Sequence, residues 1–303
     1  MTQFILYKDL VMLTFWNIRS SLFFLKRTLI LLIFIYLFFC SADFGAISRP
    51  VTVRVNRWLA VQQQQGQVTY HQQGVHRAAR TGDRLQAVGD GITTGQRSKA
   101  VLEVDTGIGF IQIAEHTEIR VRSLGIAPDN GQTTSLDVPR GQVRLQLRRF
   151  THKGSNLEIF TPAGVSAVRG TEFGVSVQPN GKTGLATLTG AVATSAQGKT
   201  VLVGEGFQNF TIPGQPPSAA VPLKDNTELR YQVERQIQAG IRSLRLIGIV
   251  DPVDLVLIGS TPQTTDQNGR FSVLLPAVST QTLQITVITP LGRKQVHTLV
   301  IQL

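Results

Sequence analysis

The chain has 303 residues, 42% apolar and 16% charged, with a formal net charge of +11. That balance excludes a disordered polyelectrolyte and leaves room for one large or two ordinary domains. Its one cysteine, Cys40, excludes a disulfide framework, a thiolate metal site and, once a leader is removed, a cysteine nucleophile.

Aromatic residues are only 7% of the chain, while Val, Ile, Thr and Gly are abundant, so an all-β fold with tight turns is expected. Residues 29–39, Leu-Ile-Leu-Leu-Ile-Phe-Ile-Tyr-Leu-Phe-Phe, form an unbroken apolar run behind Lys8, Arg19, Lys26 and Arg27. The run is too short for a comfortable spanning helix, which needs about 20 apolar residues. Residues 1–42 therefore read as a signal peptide cleaved after Ala42, with a retained N-terminal anchor as the alternative. Met12 offers a second start that leaves a more ordinary basic leader. Export without disulfides points to a bacterial envelope, periplasmic or at the cell surface.

Losing residues 1–42 removes four basic residues and Asp9, so the mature chain keeps a charge of about +8. Outside the cytoplasm such a surface meets anionic glycans, lipid head groups or acidic proteins. Nucleic acid is not expected, because the basic stretches lack interleaved aromatics for base stacking.

Residues 51–212 alternate apolar and polar positions between Gly, Asn and Asp turns, as at Ile119 and Val121 or Val143, Leu145 and Leu147. These are half-buried strands. Gly66-Gln67-Val68, Gly141-Gln142-Val143 and Gly190-Ala191-Val192 open strand-like runs in a loose echo, which suits a β-roll or irregular solenoid. Residues 213–225 are Pro-rich and aperiodic, and read as a linker. Over 226–244, Leu229, Val233, Ile237, Ile241 and Leu244 recur every three to four residues, predicting one amphipathic helix packed on a neighbouring domain. Residues 245–303 return to strands with turns at Asp251-Pro252, Asp266-Gln267-Asn268-Gly269 and Pro290-Leu291-Gly292, predicting a small β-sandwich. Within it "DLVLIGSTPQTTDQNGRFSVLLP" resembles bacterial immunoglobulin-like modules.

The stretch "TPAGVSAVRGTEFGVSV", residues 161–177, sets Arg169-Gly170-Thr171-Glu172 between two apolar strand halves. In one unbroken strand Arg169 shares a face with Val165, Phe173 and Val175 and is buried, which requires a carboxylate partner. A bulge at Gly170 instead turns Val168 inward and Arg169 outward. Either way Arg169 and Glu172 have a structural task, pairing with each other or tying neighbouring strands through Asp83, Glu103 or Asp105.

At these residues the chain resembles the FecR-like domain of bacterial envelope proteins. The resemblance rests on Thr161, Pro162, Val168, Arg169, Gly170, Thr171, Glu172 and Phe173, on Gly82-Asp83-Arg84-Leu85, on "GITTGQRSKAVLEVDTGIGFIQIAEHTEIRV" and on Leu188-Thr189-Gly190-Ala191-Val192, spanning most of 60–210. It implies a non-enzymatic all-β module outside the cytoplasm; members of that family relay an outer-membrane receptor signal to an inner-membrane sigma regulator. Here only about 28 residues precede the apolar run, and the continuation is immunoglobulin-like. The expectation is an exported interaction module, with a membrane-anchored signalling regulator as the alternative.

Chemical motifs are sparse. Gly181-Lys182-Thr183 and Gly198-Lys199-Thr200 echo a phosphate loop but lack its upstream glycine and helix, and read as turns. His71 and His76 have no third metal ligand at matching spacing, and Glu103 with Asp105 reads as exposed or arginine-paired acids. No serine triad motif is present, and neither a cofactor nor catalysis is expected. The best ligand patch is the polar face of 140–148, where Arg140, Arg144 and Arg148 align with Gln142 and Gln146 to meet an envelope protein or an anionic glycan.

Overall fold

A computed structural model describes residues 57–302, apart from 239, 240, 277 and 279. The leader expected at 1–42 lies outside the described residues. The first nine strands are β1 Leu59–Gln65, β2 Val68–Gln72, β3 Val75–Ala78, β4 Arg84–Leu85, β5 Gly91–Thr94, β6 Lys99–Val104, β7 Gly109–Ile113, β8 Glu118–Ile126 and β9 Gln132–Leu147. Next come β10 Asn156–Thr161, β11 Gly164–Val168, β12 Glu172–Val177, β13 Thr183–Thr189, β14 Ala191–Ala196, β15 Lys199–Gly204, β16 Phe207–Thr211 and β17 Val221–Pro222. The last seven are β18 Arg230–Gln238, β19 Ile241–Ile249, β20 Leu255–Ile258, β21 Thr261–Gln263, β22 Arg270–Pro276, β23 Thr280–Ile288 and β24 Lys294–Gln302. The protein is all-β among the described residues.

Strands β1 to β17 form two layers that share β9. Across the first layer the order is β4-β1-β6-β7-β9-β12-β13-β16-β17, and across the second it is β3-β2-β5-β8-β9-β10-β11-β14-β15. All these pairs are antiparallel except β9 with β10. Between the layers Leu59, Ile92, Leu102, Ile111, Leu136, Val143, Leu157 and Phe173 pack into one core. This is the apolar half of each alternating strand, and its removal from water is the main stabilising term.

Strand β9 belongs to both layers because it bends at Gly141. Residues up to Arg140 pair with β8, and those from Gly141 onward pair with β7 and β12. Gly141 has φ +93°, and a β-carbon there would lie 2.3 Å from Thr117 Oγ1. Only glycine serves at such a corner.

The Pro-rich segment 213–225 does not run free. It folds back along β16, with Val221 and Pro222 pairing Gln208 and Phe207 at the edge of the first layer. An edge is where proline's missing N–H costs nothing.

Residues 230–302 build two further sheets over a second core. One is β18-β19-β22, the other β21-β20-β23-β24. Leu244, Leu246, Phe271, Ile285, Val287 and Leu299 fill the space between them. The amphipathic helix expected at 226–244 is absent; the segment supplies β18 and the start of β19, an antiparallel pair in which Val233 opposes Leu246. The misreading has a simple cause. Positions 229, 233, 237 and 241 are four apart, which keeps them on one side of a helix and equally on one face of a strand. Abundant β-branched residues and the pairing of β19 with β22 decide for strand.

Candidate functional site

The Arg169-Gly170-Thr171 segment is where the chain crosses from the second layer to the first. Strand β11 ends at Val168 in one layer, and β12 starts at Glu172 in the other. Val168 is buried and Arg169 exposed, while Phe173, Val175 and Val177 face the core, so the inward parity changes across the crossing. Gly170 sits at φ +94°, and a β-carbon there would lie 2.3 Å from Arg149 Cα. Thr171 is buried and donates to the Ala191 carbonyl at 3.2 Å. Arg169 and Glu172 do not pair with each other, nor with Asp83, Glu103 or Asp105. The Arg169 guanidinium donates to the Lys153 carbonyl, and the Glu172 carboxylate accepts from Arg144 and, at 2.8 Å, from Gln146. Burial alone would raise the Glu172 pKa; those two bonds overcome it and hold the carboxyl below its ordinary value.

Strand β12 is buried on both sides. Its odd positions face the core; its even positions, Gly174 and Ser176, face the C-terminal sheets. A β-carbon at Gly174 would lie 1.9 Å from the Pro290 carbonyl oxygen, and one at Gly184 on β13 would lie 2.2 Å from the Val253 carbonyl oxygen. The small residues let two backbones touch. Polar side chains close the contact: Ser176 Oγ donates to the Val253 carbonyl, Gln142 Nε2 to the Pro290 carbonyl at 2.7 Å, and Gln178 Nε2 to the Asp254 carbonyl at 3.0 Å. Thr265 N–H donates to Gln178 Oε1 at 2.8 Å, and Gln208 Nε2 to Asp251 Oδ1 at 2.9 Å. Sequence reasoning missed these residues. A signal was present, since an antiparallel strand with one solvated face normally carries polar residues there, not Gly and small Ser.

Lys182, read as part of a turn, is a buried anchor of the same contact. The turn is real, with Gln178 N–H donating to the Lys182 carbonyl at 2.9 Å. The ammonium donates to Thr265 Oγ1 at 3.0 Å and to the Asp266 carbonyl, and lies 4.8 Å from the centre of the Phe210 ring. Burial pulls its pKa down to about 8. Burial, and then the charge of Asp251, pushes Asp254 up to about 9, so this carboxyl is neutral at pH 7; its Oδ2 has no hydrogen-bond partner among the described residues.

The structure does not gather Arg140, Arg144 and Arg148 into one open array, because Gly141 turns β9 between them. Arg140 pairs with Glu118 at 3.0 Å in the second layer. Arg144 pairs with Glu172 and donates to the Leu291 carbonyl at 3.2 Å in the first. Arg148 is exposed beyond the end of the strand. Gln142 is buried under Pro290 and Gln146 is held by Glu172.

What remains open on that face is a groove of about 1010 Å³ between the first layer and the loop after β23. Its floor is a cross-strand row, Gln63, Val101, Gln112 and Arg144, each opposite the next in register. Arg97, Lys99 and Lys294 stand around it with one carboxylate, Glu115. Lys294 pairs with Glu115 at 2.5 Å, and Arg97 N–H donates to the same carboxylate at 2.8 Å. Burial opposes ionisation of Glu115, but these donors outweigh it and keep the group below its ordinary pKa.

Other singled-out residues have structural settings. Asp105 pairs with buried Arg57 at 2.5 Å, whose guanidinium also reaches the Gly125 carbonyl at 2.9 Å and Thr134 Oγ1 at 2.7 Å. Glu103 accepts from Gln62 and from Gly107 N–H. His71 and His76 oppose each other on β2 and β3 with Nδ1 atoms 2.6 Å apart, and His71 Nε2 bonds Thr93 Oγ1 at 2.8 Å. Among the described residues no cluster of three metal-ligating side chains forms.

Fold and site together define an all-β protein whose two strand assemblies meet through a buried polar contact and frame a basic groove. Residues 90–193, which hold the Val168 to Phe173 crossing, match the model of the family described as FecR protein. Two crystal structures of a candidate anti-sigma factor from Parabacteroides distasonis ATCC 8503 align at 13% identity and a TM-score of 0.37, covering 46% of this chain. They are covered over 66% of their own length, just short of two thirds. No curated protein matches the chain.

Proposed function

We propose that the chain is an exported, non-enzymatic FecR-type module of the bacterial cell envelope that acts by binding an envelope protein or an anionic glycan. The observation that carries this reading is the groove floored by Gln63, Gln112 and Arg144 and walled by the loop at Leu291. Its walls come from both strand assemblies, and buried Gln142, Gln178 and Lys182 lock those walls together before any ligand arrives. Preset walls lower the ordering cost of binding. The C-terminal sheets act as an immunoglobulin-like support that holds one wall in place.

A second reading, a membrane-anchored regulator that relays an envelope contact inward, is favoured by the FecR match at 90–193. One experiment separates the two. The chain is expressed with a C-terminal tag, the envelope is fractionated, and the N-terminus of the recovered protein is sequenced. A soluble form starting near Asp43 supports the free binding module, whereas intact chain in the membrane fraction supports the regulator. Crosslinking in the same envelope, followed by mass spectrometry, identifies the bound partner; recovery of the chain with no crosslinked protein or glycan would end the binding reading.

A further inference from the structure

We infer that the groove over the first layer binds a carboxylate-bearing polysaccharide of the uronic-acid type; this rests on the reading of the protein as a binding module. Adjacent strands lie about 4.8 Å apart, so the row from Gln63 to Arg144 crosses four strands and about 15 Å. Lys99 lies two residues from Val101 along β6, which puts its backbone about 12 Å from that of Arg144 by the same spacings. A polar row of that length with free Arg97 and Lys99 beside it suits an extended anionic chain, not one compact anion.

Two cations there are uncommitted, Arg97 and Lys99, whereas Arg144 is held by Glu172 and the Leu291 carbonyl. Lys99 and the Arg97 guanidinium have no carboxylate within ion-pair distance among the described residues, and Glu115 is already taken by Lys294. Guanidinium and ammonium groups in excess over carboxylates select an anionic ligand.

The floor chooses a saccharide over an acidic peptide. Side-chain amides both donate and accept, as sugar hydroxyls do, and Gln63 and Gln112 present two of them on one row. A peptide partner is normally anchored by an aromatic or aliphatic side chain in a desolvated pocket. Val101 is the one apolar member of the row, and the other large apolar residues of the lining, Ile113, Ile288 and Leu291, are buried.

The test is titration of the full chain with oligogalacturonate, with the methyl ester of the same oligomer, and with poly-glutamate, at low and at physiological salt. Oligogalacturonate is expected to bind, to weaken with salt, and to lose about 5- to 20-fold in affinity in the double variant Arg97→Gln/Lys99→Gln, because exposed charge contacts each contribute a few-fold. Gln112→Leu is expected to weaken it further, and Lys199→Gln, an exposed charge change on β15 in the other layer, to leave it unchanged. Unfolding curves of each variant establish that the fold is intact. Equal affinity for the methyl ester, or an unaltered titration in the double variant, overturns the inference. Tighter binding of poly-glutamate through the same residues overturns it in favour of an acidic peptide. If the envelope crosslinking recovers a protein while oligogalacturonate fails, the binding reading stands and only the ligand class falls; if both fail, both fall.

Discussion

Replacing Gly174 by alanine tests whether the C-terminal sheets are seated on β12 as described. The backbone there is ordinary for an alanine, because Gly174 is not among the positive-φ glycines. The obstacle is external: the new methyl would lie 1.9 Å from the Pro290 carbonyl oxygen, and ordinary contact begins near 3.4 Å, so the loop must retreat by about 1.5 Å. That movement stretches the 2.7 Å bond from Gln142 and the 3.2 Å bond from Arg144 beyond useful range. One neutral and one charged hydrogen bond are together worth about 2–4 kcal/mol. Removing a glycine from a strand returns about 0.5–1 kcal/mol, leaving a net loss of about 1–3.5 kcal/mol, centred near 2. For a unit of this size the melting temperature should fall by about 2–14 °C. Hydrogen exchange is the sharper assay: amide protection should drop at Gly292 and across 289–293 while β6 and β7 keep theirs. Gly204→Ala is the control, since nothing lies within 4 Å of a β-carbon there. If Gly174→Ala melts and exchanges like that control, the seating is wrong.

Other perturbations bear on separate parts of the fold. Gly170→Ala forces a side chain into the left-handed region against Arg149 and should cost at least about 2 kcal/mol, whereas exposed Arg169→Gln should cost under about 1 kcal/mol; chemical denaturation of the two variants ranks them. Arg57→Met leaves buried Asp105 unpaired and should cost about 3–5 kcal/mol, with Arg57→Met/Asp105→Asn recovering part of the loss in a double-mutant cycle. Asp254 binds its proton more tightly folded than unfolded, so its contribution is full below about pH 4 and is lost as pH rises toward about 9. Lys182 has the opposite sign, losing stability as pH falls through about 8. Asp254→Asn should therefore flatten the decline between pH 4 and 8, by up to about 1.4 kcal/mol per pH unit for one proton; a steeper decline in the variant contradicts the assignment.

The all-β class was legible because alternation and turn residues recur through the whole chain. The orientation of Arg169 was left between two readings, a buried guanidinium with a partner and a register shift at a glycine; the structure has Arg169 exposed beside Gly170. Its partner was not legible, because which strand lies beside Lys153 or Arg144 depends on pairings distant in sequence. The hairpin of β18 and β19 was misread because four-residue spacing satisfies a helix and a strand alike, and only the neighbouring β22 separates them. The separation of Arg140 from Arg144 was hidden for a related reason. Counting parity along 140–148 assumes one flat strand, and Gly141 breaks that assumption by turning Arg140 into the other layer. Two-sided burial of β12 and β13 was written in Gly174, Ser176 and Gly184, but small residues on a strand face gain meaning only when something is known to cover them.

Because β9 runs through both layers without interruption, it works as a beam. Gln142 and Arg144 on one side of Gly141 hold the C-terminal loop, while Leu136 on the other side pairs with the strands of the second layer. The contact that seats the C-terminal sheets and the pairing that builds the far layer are thus held on one uninterrupted length of backbone.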